Sequence, residues 1–77
     1  MITVQVLVFG PLRDRLGWTE RAVQVEPGST IAELYLLLTP AEPRLPVAYV
    51  RNLERVDGGT ALADGDQVGL LPPVGGG

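Results

Sequence analysis

The chain has 77 residues, nine acids against six bases, and a net charge of −3. That length allows one small domain, and 45% hydrophobic residues is too many for a disordered segment. The absence of cysteine and histidine excludes disulfides, thiolate nucleophiles and the commonest general base and metal ligand, and six arginines without a basic patch argue against a nucleic-acid partner.

Ile2–Phe9 (ITVQVLVF) predicts a strand with Val4, Val6 and Val8 on one face and Leu7 and Phe9 on the other. A strand that is apolar on both faces near its end belongs in the middle of a sheet or beside an interface. The same start lacks the basic region of a signal peptide, and no apolar run is long enough to cross a bilayer. No membrane partner and a cytoplasmic location are therefore expected. Gly10-Pro11 breaks the strand. Pro11–Gly17 predicts a short helix, with Pro11 in its first turn, Leu12 and Leu16 on one face and Gly17 as its stop. A second strand is expected around Ala22, Val23 and Val25, before a Pro27-Gly28 turn.

The clearest helix is STIAELYLLLTP. Thr30 and Glu33 have capping-box spacing, in which each side chain satisfies a free backbone N–H. Ile31, Leu34 and Leu38 share a face that Tyr35 and Leu37 widen, and Pro40 ends the segment. A loop with three prolines (PAEPRLP) precedes a third strand, VAYVRN. Asp57-Gly58-Gly59 and Ala63–Asp66 read as turns, and QVGLL as the last strand, with Val68 and Leu70 toward the helix and Leu71 away from it. The order strand, strand, helix, strand, strand predicts an α+β fold. One main helix would lie across a mixed sheet of four to five strands, the β-grasp arrangement, with a short extra helix. Residues 1–71 form the expected domain and residues 72–77 an extended tail.

Catalysis by the chain's own side chains looks poor. Asp64 and Asp66 flank a glycine between an apolar segment and a strand, which is the pattern of a turn. Asp57, Asp64 and Asp66 lack the ligand spacing of a calcium loop, and neither glycine run has the lysine and following helix of a phosphate loop. No bound cofactor and no metal are expected. The tail, PPVGGG, is the stretch with chemical promise. Pro72 and Pro73 stiffen its exit, and six residues past Leu71 reach about 20 Å at full extension. Glycine has no Cβ, so such a probe fits a slot too narrow for other residues. The design suits presenting a carboxylate on Gly77 to another enzyme, for adenylation and then attack by sulfur or an amine.

Three stretches carry a family resemblance: VLVFGPLRDRLG (Val6 to Gly17), VAYVRN (Val47 to Asn52) and LADGDQVGLLPPVGGG (Leu62 to Gly77). The last, a DGD turn followed at fixed spacing by paired prolines, valine and terminal glycines, is the most specific. The chain resembles the small-subunit sulfur carriers of the MoaD/ThiS group, and most closely its molybdopterin synthase branch. The resemblance implies a ubiquitin-like β-grasp fold. It also implies that an E1-like adenylating enzyme uses ATP to activate Gly77 and that a sulfurtransferase supplies the sulfur of a Gly77 thiocarboxylate. The tail would then enter the large subunit of molybdopterin synthase and give its sulfur to precursor Z. Gly76 and Gly77 match the family's diglycine. Phe9 and Leu71 would dock the partner beside the tail residues Pro72, Pro73, Val74 and Gly75, with Arg13 and Arg51 at the rim. Gly75, Gln67, Gly69, Leu70 and Leu71 depart from the residues commonest in the family, and none of them is the activated group. A carrier for thiamine or tRNA thiolation and a ubiquitin-like protein modifier are the alternatives. The paired prolines favour the molybdopterin branch.

Overall fold

The computed structural model describes residues 1–40 and 44–73. Five strands and two helices follow one another as β1 (Ile2–Val8), α1 (Gly10–Leu16), β2 (Glu20–Val25), α2 (Ile31–Leu38), β3 (Ala48–Arg51), β4 (Glu54–Val56) and β5 (Gln67–Leu71). The strands form one sheet in the order β2-β1-β5-β3-β4. β1 and β5 pair in parallel, and every other pairing is antiparallel. This is the mixed β-grasp sheet expected from the sequence, with the last strand inserted at its centre.

One face of the sheet makes the core. Val4, Val6 and Val8 of β1 and Val68 and Leu70 of β5 are fully buried with Ile31 and Leu34 of α2, and Leu12 of α1 and Leu62 are buried beside them. The two-residue period of the strands therefore aims where the alternation predicts. The helix parity holds less completely. Ile31, Leu34 and Tyr35 are buried, but Leu37 is 61% exposed and does not widen the buried face. With eight residues, α2 presents too narrow a stripe to the sheet to cover both Tyr35 and Leu37.

Helix ends are tied as their sequences suggest. Thr30 Oγ1 accepts from the Glu33 N–H at 3.2 Å, and Glu33 Oε1 accepts from the Thr30 N–H at 2.8 Å. The next two free donors of α2, the N–H groups of Ile31 and Ala32, reach the carbonyls of Thr60 and Gly58, each at 3.0 Å. The Asp57–Thr60 turn is thereby fastened to the helix start. At the other end, the Tyr35 hydroxyl donates to the Leu45 carbonyl, and Arg44 Nε donates to the Thr39 carbonyl at 2.8 Å. Gly17 caps α1 in the left-handed conformation at φ 83°.

Two departures bear on the site. β1 stops at Val8, and Phe9 is the extended residue that caps α1 instead of a strand residue. β4 has no counterpart in the predicted elements. It pairs with β3 through a two-residue turn, Asn52-Leu53, in which both residues have positive φ, 50° and 71°. Hairpin turns of this hand normally use glycine or asparagine, and a leucine there costs about 1–2 kcal/mol.

Candidate functional site

β1 and β5 run parallel with Val8 opposite Leu70, so both strands end at the same edge of the molecule. β1 leads through Phe9 into α1, and β5 ends at Leu71 and leads into Pro72. The two chain exits lie against each other. Gly10 has φ 60°, and a Cβ built on it would stand 3.0 Å from Cγ of Pro72. A side chain at position 10 would be strained at this φ and would press on the Pro72 ring, which would have to give way. The sequence marks Gly10 only as a strand breaker, and its role against Pro72 is visible only in the fold.

Phe9 and Leu71, the two residues assigned by parity to the face away from α2, do come together. A Cβ on Gly69 would meet Leu71 Cδ1 and Val50 Cβ at 3.4 Å and Phe9 Cε2 at 4.0 Å. Gly69 is thus the floor of a shallow apolar groove of about 330 Å³, walled by Leu7, Phe9, Val50, Leu53 and Leu71. On the other side of Phe9 lies a second groove of about 210 Å³, lined by Pro11, Leu45, Pro46, Pro72 and Pro73. Phe9 is the ridge between them and stays 40% exposed. It borders the proline loop through Leu45 and Pro46 without being covered by it. Pro72 and Pro73 form one wall of the second groove, so the tail leaves from within an apolar surface. Val74, Gly75, Gly76 and Gly77 lie outside the described residues, as do residues 41–43 of the proline loop.

The polar groups of the predicted site have structural partners. Asp64 Oδ1 accepts from the Thr3 N–H at 2.8 Å. Asp66 Oδ2 accepts from the Ala63 N–H at 2.8 Å, and its Oδ1 accepts from Asn52 Nδ2 at 2.9 Å. The DGD segment is a turn, as expected, whose carboxylates tie it to the start of β1 at Thr3, to its own Ala63 and to Asn52 between β3 and β4. Arg51 donates to the Ala61 carbonyl at 3.0 Å, which holds it to the fold and away from a free rim position. Arg13 Nε lies 3.9 Å from the Asp14 carboxylate, with both side chains largely exposed. Among the described residues, no group of three or more acids could hold a metal ion. Among the described residues, no helix is long and apolar enough to cross a membrane.

Burial alone would raise the Asp66 carboxyl. The Ala63 N–H, the Asn52 amide and the Arg51 charge outweigh it and hold the pKa below the ordinary aspartate value of 3.8. Native stability drawn from this carboxylate is complete above that value and is lost as pH falls through the lowered native one. Thermal melts taken from pH 7 downward should therefore show the midpoint dropping in the acid range. Asp66→Asn, which cannot titrate, should shallow that drop. Equal acid slopes in the two proteins would show that this carboxylate is not linked to folding.

Leu53 and Val50 line the groove and are not singled out by the sequence reading, and Gly69, noted there only as a departure from the family, is its floor. Leu53 carries a signal, an apolar residue between an asparagine and a glutamate in a stretch without an assigned element. The others depend on which strands pair.

Comparison with known proteins bears on the family and the fold. A molybdopterin synthase sulfur carrier subunit from Mycobacterium tuberculosis (strain ATCC 25618 / H37Rv) is 36% identical over 83 residues, covering 100% of both chains. In the solved complex of subunits 1 and 2 of molybdopterin-converting factor from Helicobacter pylori 26695, a chain 29% identical superposes with a TM-score of 0.66, over 99% of this chain and 100% of that one. The small archaeal modifier protein 1 of H. volcanii superposes with a TM-score of 0.79 over 96% of this chain and 100% of its own; at 23% identity this likeness shows the fold alone. The ThiS family model matches residues 6–77, nearly the whole length from mid-β1 through the glycine run, and the chain belongs to the ThiS family.

Proposed function

We propose that the chain is a sulfur carrier that serves as the small subunit of molybdopterin synthase. In this reading an E1-like enzyme binds ATP, and the Gly77 carboxylate attacks the α-phosphate and expels pyrophosphate. Hydrosulfide delivered by a sulfurtransferase then attacks the acyl carbon, displaces AMP and loses its proton, leaving a thiocarboxylate. The large subunit receives the tail and supplies the groups that act on precursor Z, and the carrier contributes the sulfur. The observation that most supports this reading is the tail root: Pro72 is seated on Gly10 and walls one of two apolar grooves that share Phe9, and Leu71 walls the other. A partner that takes in the tail can close over both grooves and exclude water from the reacting end. The full-length relative from M. tuberculosis favours the molybdopterin branch over thiamine or tRNA thiolation.

The test is the intact mass of the protein from its own host, with and without a thiol-selective alkylating reagent. Because the chain has no cysteine, an alkylated species must carry its sulfur elsewhere. The expected result is one alkyl group, mapped to the peptide containing Gly77. A plain carboxylate at Gly77 after incubation with ATP, a sulfide source and host extract would overturn the carrier reading. Attachment of Gly77 to lysine amines of other proteins would replace it with the modifier reading. The branch is then tested by adding the alkylatable form to the large subunit and precursor Z and measuring molybdopterin.

A further inference from the structure

The turn between β3 and β4 is at odds with its surroundings. Leu53 occupies a left-handed position at φ 71° and is 90% exposed. It belongs to neither the buried core nor the residues packed against it. A glycine or asparagine would make the turn without strain and without placing a leucine in water. Yet the turn is firmly tied from behind. The Asn52 N–H donates to the Gln67 carbonyl at 2.8 Å, Asn52 Oδ1 accepts from the Gln67 N–H at 2.9 Å, and Asn52 Nδ2 donates to Asp66. Asp66 is buried and holds Ala63 with its other oxygen. The tie thus joins the turn to the start of β5, the strand whose far end releases the tail. Its effect is to hold Leu53 on the wall of the groove that Phe9 and Leu71 also line.

We infer that Leu53 is a specificity-determining anchor for the protein that receives the tail, and that Asn52 with Asp66 forms the positioning pair that holds it on the docking face. The inference rests on the docking reading above and extends that surface from the tail root to the far side of Gly69. The occupant is the large subunit. A partner bound at the tail exit sits at one end of this groove, and Leu53 continues the same apolar wall. Strain retained at a solvent-facing apolar residue, with no share in the core, fits a binding role better than a folding one.

The experiment is a calorimetric titration of the full chain with the large subunit from the same genome, for Leu53→Asn, Phe9→Ala, Asn52→Ala and the double variant Asn52→Ala/Leu53→Asn. Asparagine tolerates the left-handed region, so Leu53→Asn should melt at or above the temperature of the unsubstituted protein. Its affinity should fall by about tenfold, the size of a modest anchor. Phe9→Ala should also weaken binding. Unchanged affinity in Leu53→Asn while Phe9→Ala weakens it would overturn the anchor and leave the docking reading intact. Unchanged affinity in both would sink the docking reading itself. Asn52→Ala should weaken binding of the leucine protein and have no further effect once Leu53 is gone. An equal loss in both backgrounds would make Asn52 a general support of the fold and overturn the positioning role. Should Asn52→Ala not fold, Asp66→Asn takes its place in the same cycle.

Discussion

Leu70→Ala is expected to remove about 2–5 kcal/mol of folding stability, the range for deleting a buried leucine side chain. A domain of this length has on the order of 4–12 kcal/mol in total, so the variant should stand near the edge of folding at 37 °C. The position explains the size. β5 is the central strand, bonded to β1 on one side and β3 on the other, with Leu70 opposite Val8 and Tyr49. Leu70 is fully buried among Val6, Val8, Val68 and the inner face of α2. In a core this small, few neighbours can move to fill the cavity. Its neighbour Leu71 is the control. It points to the other face and is half-buried, so Leu71→Ala should cost well under half as much. Urea denaturation of both variants reads the difference directly. Equal costs would mean that the two faces of β5 are wrongly assigned, and with them the groove beside the tail.

That pair also shows which parts of the molecule are legible in the sequence. Alternation along ITVQVLVF and QVGLL assigns faces correctly, because a strand's two-residue period is local and needs no knowledge of its neighbour. The start of α2 is legible for the same reason: Thr30 and Glu33 satisfy each other within one turn. What parity cannot show is adjacency. Phe9 and Leu71 face the same way, but they share a groove only because β1 and β5 pair in parallel with Val8 opposite Leu70. β4 is hidden for a different reason. It has three residues, Glu54-Arg55-Val56, too few to display a period, and its turn lacks the glycine that usually marks a hairpin. The tie that compensates for that missing glycine runs from Asn52 to Asp66 and Gln67, fourteen and fifteen positions away, beyond the reach of local pattern. Leu37 fails in the opposite sense, since helical spacing marks it as inward although α2 is too short and too narrowly seated to cover it.

Deleting Gly76 and Gly77 should abolish formation of the alkylatable species while leaving the fold and its melting temperature unchanged. The core closes without them: the last strand ends at Leu71, and the tail root is seated by Pro72 against Gly10. Among the described residues, no buried member of the core cluster lies beyond Leu70. The loss of function should be complete, because adenylation acts on the terminal carboxylate. Moving that group back by two residues shortens the probe by about 7 Å. It also places the carboxylate on Gly75, one residue after the branched Val74 instead of three, so a narrow slot would meet a Cβ two residues sooner. Docking should survive, since the grooves around Phe9 are formed by residues up to Pro73. The deletion variant should therefore bind the large subunit, compete with the intact carrier, and inhibit molybdopterin formation in a mixture of the two. A deletion variant that still became alkylatable after incubation with ATP, a sulfide source and host extract would show that the sulfur resides elsewhere on the chain. One that was inert and also failed to compete would show that the glycines contribute to docking, and that the sheet face alone does not hold the partner.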